Sequence, residues 1–182
     1  MVFIMEEIIR RPFVKIVLIC ALFALVNACG YSFTQTGEYI DKRIRKIYVE
    51  QFANKTDQAQ LEDYIRQAFV NQIIQTSRFK IAENAETADA TIKGAVLNLN
   101  MSPLSYRSNT MVAEERATMI LEVTFRDSEG GKIIWSSRSI IGTVDYSIEN
   151  NINLLPATRK TAFIKLANDT AERIFSQMMS GF

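Results

Sequence analysis

The chain has 182 residues, with 21 Lys and Arg against 20 Asp and Glu, no histidine and two cysteines. So even a balance lacks the basic excess of a general nucleic-acid binder. Without histidine, Ser-His-Asp and Cys-His nucleophilic devices are excluded, and the commonest metal ligand is missing.

Residues 1–28 read as an export signal. Arg10, Arg11 and Lys15 precede Ile16 to Val26, an uncharged apolar run. A permanent span needs roughly 20 apolar residues, so this shorter run fits a signal-peptide h-region. It ends in Val26-Asn27-Ala28-Cys29-Gly30, where cleavage would leave Cys29 first, as in a lipobox. Asn27 departs from the small or hydroxyl residue usual at its position. The alternatives are a plain secretory signal and an uncleaved anchor.

Cys20 leaves with the signal, and Cys29 is the expected lipid-attachment residue. The mature domain then has no thiol pair for a disulfide and no thiolate for a nucleophile or a zinc site. Several acyl chains on Cys29, palmitate among them, would hold the chain on a membrane where one chain alone is marginal. Gly30, in place of the Asp that retains lipoproteins at the inner membrane, allows passage to the outer membrane. Residues 29–42 read as the lipidated N-terminus with a short tether. Residues 43–182 read as a single domain, a size that one core can organise. Loss of Glu6, Glu7, Arg10, Arg11 and Lys15 with the signal leaves that domain near neutral.

Arg43 to Phe52 interleaves β-type residues with charges and predicts a first strand. Thr56 or Asp57 is the expected cap of a helix whose apolar face runs through Leu61, Tyr64, Ile65, Ala68, Phe69 and Ile73 and which ends near Ser77. Phe79 and Ile81 lead into a polar linker, Glu83 to Asp89. Ala90 to Met101 predicts a second strand, with a change of phase near Gly94 that suggests a bulge. Ser102 to Ala113 is expected to be a long loop.

Glu115 to Arg126 gives the clearest strand pattern. Ala117, Met119, Leu121, Val123 and Phe125 form an apolar face, opposite Arg116, Thr118, Glu122, Thr124 and Arg126, with Ile120 as the exception. A turn at Asp127 to Gly131 returns the chain as a fourth strand, Lys132 to Tyr146. Pro156, tolerated in a first helical turn, opens a C-terminal helix with an apolar stripe through Phe163, Leu166, Ala167, Thr170, Ile174 and Met178. The fold class that follows is α+β, with two helices packed on one face of a mixed four-stranded sheet in the order βαβββα. The other sheet face is left to solvent or a partner.

No phosphate-binding glycine loop is present. The adjacent carboxylates Glu114 and Glu115 sit beside Arg116 at a strand start and read as a solvated strand end. No cofactor and no metal site are expected, and the chain reads as a non-enzyme.

Several segments resemble one family. They are Cys29-Gly30-Tyr31-Ser32-Phe33, then Val49-Glu50-Gln51-Phe52-Ala53-Asn54-Lys55-Thr56, then Ala88-Asp89-Ala90-Thr91-Ile92-Lys93-Gly94, with Leu61-Glu62, Ser77-Arg78-Phe79 and Gly131-Lys132-Ile133-Ile134-Trp135 between and after them. This order is similar to that of the lipopolysaccharide-assembly lipoprotein (LptE) family. The resemblance implies two helices on a four-stranded sheet, residence at the periplasmic side of the outer membrane through a lipid anchor, and no catalysis. It also implies a place as plug inside the lumen of a large outer-membrane β-barrel, LptD. There the pair would insert lipopolysaccharide into the outer leaflet, the plug helping the barrel to assemble and binding lipopolysaccharide directly.

Lipopolysaccharide carries clustered phosphates, which guanidinium groups hold in bidentate fashion. Arg107, Arg116, Arg126, Lys132 and Arg138 lie near the connections of the last three strands and are the candidate contacts, with Tyr106 beside Arg107. Each also reads as an ordinary solvated charge. Trp135 and Tyr146 read as core aromatics before contact groups. A second class of function remains beside the plug: a lipoprotein that activates a cell-wall synthase or assembles into a curli-type secretion pore. The short tether and the lack of an insertion able to form barrel strands weigh against both.

Overall fold

The computed structural model describes residues 40–107, 111–149 and 151–181. The signal segment, Cys29 and the stretch through Tyr39 lie outside them. Tyr48, Ile47 and their neighbours open the sheet as β1 (Lys46–Val49), in which Ile47 and Val49 alternate inward. The ladder breaks and resumes as β2 (Ala53–Asn54). Both pair parallel with the long strand β4 (Ala90–Tyr106), Ile47 opposite Ala90 and Ala53 opposite Ala95. The predicted first strand is therefore one line interrupted between Val49 and Ala53.

Helix α1 (Leu61–Gln75) follows, burying Leu61, Ile65, Ala68, Phe69 and Ile73. Its cap is Gln60, in a left-handed conformation with φ 72°, and not Thr56 or Asp57. Thr56 is engaged elsewhere: its N–H and hydroxyl both donate to Asn54 Oδ1, at 3.0 and 2.8 Å. Asn54 Nδ2 in turn donates to Gln58 O and Glu62 Oε2. This local knot, which engages the Thr56 side chain expected as a cap, joins β2 to α1.

After α1 a two-residue strand, β3 (Lys80–Ile81), adds parallel to the outer side of β1. The chain then passes to β4, which begins a meander of β4, β5 (Val112–Asp127) and β6 (Ile133–Ser147). The sheet order is β3-β1-β4-β5-β6, with β2 also on β4. The four predicted strands are thus six segments. A 3-10 turn (Ile152–Leu154) leads into α2 (Leu155–Ser180), with Pro156 in its first turn.

The predicted inner face of the third strand is the observed one: Ala117, Met119, Leu121, Val123 and Phe125 are all buried. The C-terminal helix packs on β5 and β6, and α1 packs beside it over β1 and β4. The bulge in β4 falls at Leu97, where the register slips between Val96 and Asn98, and not at Gly94. Ile92 and Val96 face inward before the slip, and Leu99 and Met101 take that side after it, opposite Met119 and Ala117. Gly94 serves a different purpose. A Cβ there would lie 2.7 Å from the Phe52 ring and 2.2 Å from the Glu122 carbonyl oxygen. The hydrogen side chain lets Phe52 settle against the sheet and stack on Phe69, with ring centroids 5.5 Å apart.

The expected loop Ser102 to Ala113 is mostly strand. β4 and β5 continue as a hairpin beyond the reach of β2, with Tyr106 opposite Val112 and Arg107 N–H bonded to Met111 O at 2.8 Å. Pro103 is tolerated because β4 has only one neighbour this far out, so no ladder bond is lost on its other side. At the N-terminal end the core starts before residue 43. Ile40, in the stretch read as tether, is 1% exposed. β6 is the long outer strand. A two-residue bulge at Arg138–Ser139 faces Glu122, and Arg173 of α2 donates to the Ile141 carbonyl.

Candidate functional site

The sheet has two ends and an open face, and the predicted contact residues divide among them. On the open face, Arg116 of β5 meets Asp145 of β6 in a bidentate pair, Nε to Oδ1 at 2.6 Å and Nη2 to Oδ2 at 2.7 Å. Arg116 holds the Asp145 carboxyl below its ordinary range through these hydrogen bonds. Ile120, which interrupts the polar pattern of β5, stands opposite Ile141, leaving two apolar groups side by side. Toward the far end of the same face lies Arg126, whose Nε is buried without a hydrogen-bond partner among the described residues.

The end formed by the β5–β6 turn is a clasp. Arg43 bridges Asp127, Glu129 (2.7 Å) and Asp41 (3.3 Å). Asp41 is also held below its ordinary pKa, chiefly by the backbone N–H of Arg43. Beside it, Asp89 Oδ2 accepts from the N–H groups of Arg45 and Lys46, each at 2.8 Å. Those two bonds, Lys46 first, hold the Asp89 carboxyl low. Lys132 lines a cleft here with Arg43 and Asp127. One guanidinium serves three carboxylates, and this end pins the segment that enters β1 to the β5–β6 turn.

The opposite end is built by three elements that converge: the β4–β5 hairpin, the end of β6 and the first turns of α2. Tyr106 and Met111 flank the hairpin tip, 62% and 65% exposed. Arg107 reaches the carbonyl of Ile148. Below them lies a network that sequence patterns did not single out. Glu115 Oε2 accepts from the Tyr146 hydroxyl and from Arg159 Nη2 at 3.1 Å, and Arg159 Nε donates to the tyrosine oxygen at 3.3 Å. Burial, and then the carboxylate accepting its proton, push the Tyr146 phenol above its ordinary pKa.

Over this network opens a cleft of about 460 Å³ lined by Arg107, Met111, Ile148, Ile152, Leu155 and Arg159, with others. A second cleft of about 540 Å³ lies between the starts of α1 and α2. Gln60, Tyr64, Lys160 and Phe163 line it, and it shares Ile152, Leu155 and Arg159 with the first.

The structure therefore brings Tyr106 and Arg107 together at the hairpin end. Arg116 stands on the open face. Arg126 and Lys132 lie toward the turn end, and Arg138 is exposed in the outer-strand bulge. The six do not form one cluster. Trp135 is half-buried on the inner side opposite Phe125, and Tyr146 is buried, both packed in the core. Cys29 lies outside the described residues. Among these residues, no group of three or more acidic or thiol side chains is placed to hold a metal ion. None of their helices is long and apolar enough to cross a membrane.

The fold is similar to those of solved bacterial proteins. The uncharacterized lipoprotein B from Nitrosomonas europaea is 16% identical over 76% of this chain and 84% of its own, with TM-score 0.53. A protein from Xanthomonas campestris is 11% identical over 75% of this chain and 85% of its own, with TM-score 0.51. The rare lipoprotein B from Shewanella oneidensis is 17% identical over 75% of this chain and 96% of its own, with TM-score 0.49. At these identities the likeness is one of fold. No curated protein matches the chain. The model of the lipopolysaccharide-assembly LptE family matches residues 44–178. The chain belongs to the LptE family.

The family-like segments have structural reasons. Phe52 and Gly94 make one contact, Asn54 and Thr56 tie β2 to α1, and Asp89 fastens β1. They hold the fold and do not line the hairpin-end clefts.

Proposed function

We propose that the protein is an outer-membrane lipoprotein, anchored by acyl chains on Cys29, that plugs the LptD-type barrel and assists it in placing lipopolysaccharide in the outer leaflet. The family match across residues 44–178 carries this reading. The geometry supports it in two ways. A plug in a polar lumen needs a rigid body with a mostly polar exterior, and the open sheet face offers paired charges and hydroxyls around a small apolar centre. The hairpin end offers an aromatic, a guanidinium and exposed apolar groups together, a mixture typical of contact surfaces. The protein acts in this reading by binding, without catalysis or cofactor.

The deciding experiment is purification of the tagged, mature protein from detergent-solubilised outer membrane. A large barrel recovered in one-to-one amount is the expected result. Recovery of a cell-wall synthase, or of a ring of the chain itself, would replace the plug with the activator or pore reading.

A further inference from the structure

The turn end of the sheet is also where the chain arrives from its N-terminus. Ile40 is buried there, and its carbonyl accepts from Arg78 Nη2 at 2.6 Å. Beside the Arg43 clasp lies a separate cleft of about 340 Å³, lined by Lys42, Ile44, Arg45, Ser77 and Arg78. Its wall holds three cations and no acid. Lys42 and Arg45 are exposed. Arg78 is fixed in place: it also donates to the Asp41 carbonyl at 3.2 Å and lies 5.0 Å from the centre of the Phe79 ring. Lys46 and Lys80, register partners at the starts of β1 and β3, add two exposed cations close by.

The acids of this end are engaged or stand aside. Asp41, Asp127 and Glu129 share Arg43, and Asp89 accepts from the backbone of Arg45 and Lys46. Glu83 and Glu86 are exposed on the linker after β3 and do not line the cleft. Helix α1 ends here, and Thr76 caps two of its carbonyls, donating to Gln72 and Ile73 oxygens at 2.9 and 3.1 Å.

We infer that the basic collar of Lys42, Arg45 and Arg78 docks on the phosphate headgroups of the membrane that holds the Cys29 anchor. The inference rests on the anchor proposed above and does not require the barrel. Eleven residues lead from Cys29 to Ile40, a reach of at most roughly 40 Å. Strand β5 alone runs 16 residues, roughly 50 Å at the rise of a strand. An anchored chain therefore keeps the turn end nearest the membrane. Cations close to an anionic leaflet gain from its surface potential, which fades within a Debye length. The acyl chains already supply retention, so the part of the collar is orientation. It holds the turn end at the headgroup plane and leaves the hairpin end clear of it. In the plug reading, that plane is the periplasmic mouth of the barrel.

The test uses the lipidated protein in nanodiscs, either of phosphatidylcholine alone or of phosphatidylcholine mixed with phosphatidylglycerol. A trace of phospholipid with an aryl azide on its headgroup reports contact. In the mixed discs, the peptide spanning Ser77 and Arg78 should label more strongly than the one holding Tyr106 and Arg107. In phosphatidylcholine alone that preference should vanish. Lys42→Gln and Arg45→Gln, both at exposed positions, should each lower labelling of the Ser77 peptide about fivefold, the contribution of one cation near an anionic surface. Lys165→Gln, exposed on α2, should leave it unchanged. Circular dichroism checks that all three variants are folded.

Equal labelling of the two ends in the mixed discs would overturn the docking surface, as would labelling that ignores Lys42→Gln and Arg45→Gln. Inorganic phosphate is added against sodium chloride of the same ionic strength. Displacement by phosphate alone would make the cleft a free-anion site and overturn the membrane assignment. The acyl mass on Cys29 is measured on the same sample. Acylated protein labelled alike at both ends sinks the collar and leaves the anchor standing. Protein without the acyl mass sinks the anchor, and the collar with it.

Discussion

Gly142 of β6 and Thr170 of α2 are in such close register that a Cβ on the glycine would lie 2.2 Å from the threonine Oγ1. Leu166 Cδ1 would be 3.1 Å away. Helix α2 rests on the sheet at this point. Gly142→Ala should push the helix outward and cost about 1–3 kcal/mol, the range for overpacking. Thermal unfolding would register it as a lowered midpoint. Adding Thr170→Ala removes the nearest obstacle and should restore part of the loss. A double variant no more stable than Gly142→Ala would count against this contact as the cause.

The two arginine–carboxylate pairs should behave differently. Glu115 and Arg159 have side chains 13% and 32% exposed, whereas Arg116 and Asp145 are 45% and 49% exposed. Arg159→Leu leaves the largely buried Glu115 carboxylate with the Tyr146 hydroxyl but without its cation and should cost about 1–3 kcal/mol. Arg116→Leu leaves the Asp145 carboxylate in water, where an ion pair contributes little, and should hardly move the unfolding midpoint. Denaturant titration of the two variants separates them. Equal losses would mean that the buried network is no more than a surface pair.

Asp89 supplies a pH dependence with a definite sign. Its folded pKa is depressed below the ordinary 3.8 by the N–H groups of Lys46 and Arg45. Its contribution is therefore fully present above the unfolded value and is lost as pH falls through the lower, folded one. Stability should fall on acidification through about pH 4 and below, and Asp89→Asn should flatten that part of the profile. Denaturation midpoints measured across this range check it. An unchanged slope in the variant would assign the acid sensitivity to Asp41, Asp145 or another carboxylate.

Arg107 and Glu129 mark opposite ends of the sheet, because the β4–β5 hairpin and the β5–β6 turn lie at the two ends of β5. In the proposed plug reading, one of the two ends leads into the barrel lumen. A photocrosslinker at Arg107 should capture the barrel or lipopolysaccharide, and one at Glu129 should capture less. Strong capture at Glu129 alone would reverse the orientation. If neither residue captured anything in cells where the protein is folded and lipidated, the plug reading would lose its main support.

Sequence patterns reached the core of β5 because Leu121 and its alternate neighbours face one buried layer, where a period of two is unambiguous. The last part of β4 was hidden. Beyond Met101 it has a single strand neighbour, and Ser102, Pro103 and Ser105 show no apolar alternation of the kind a covered face imposes. The two-residue strands β2 and β3 are too short to carry any period. Of the contact set, Tyr106 and Arg107 fell at the hairpin end because they adjoin an evident break in pattern. The network beneath them stayed illegible. Glu115 pairs with residues 31 and 44 positions away, and only the fold makes them neighbours. Ile120 was the one visible irregularity with a meaning, and that meaning is Ile141 on the next strand.

The outer strand β6 carries a further consequence. A free strand edge is a template for unwanted pairing, and proteins blunt it with charge, kinks or covering groups. Here the Arg138–Ser139 bulge interrupts the line and Arg173 occupies the carbonyl of Ile141. These features guard the exposed edge of the sheet against pairing with a second chain.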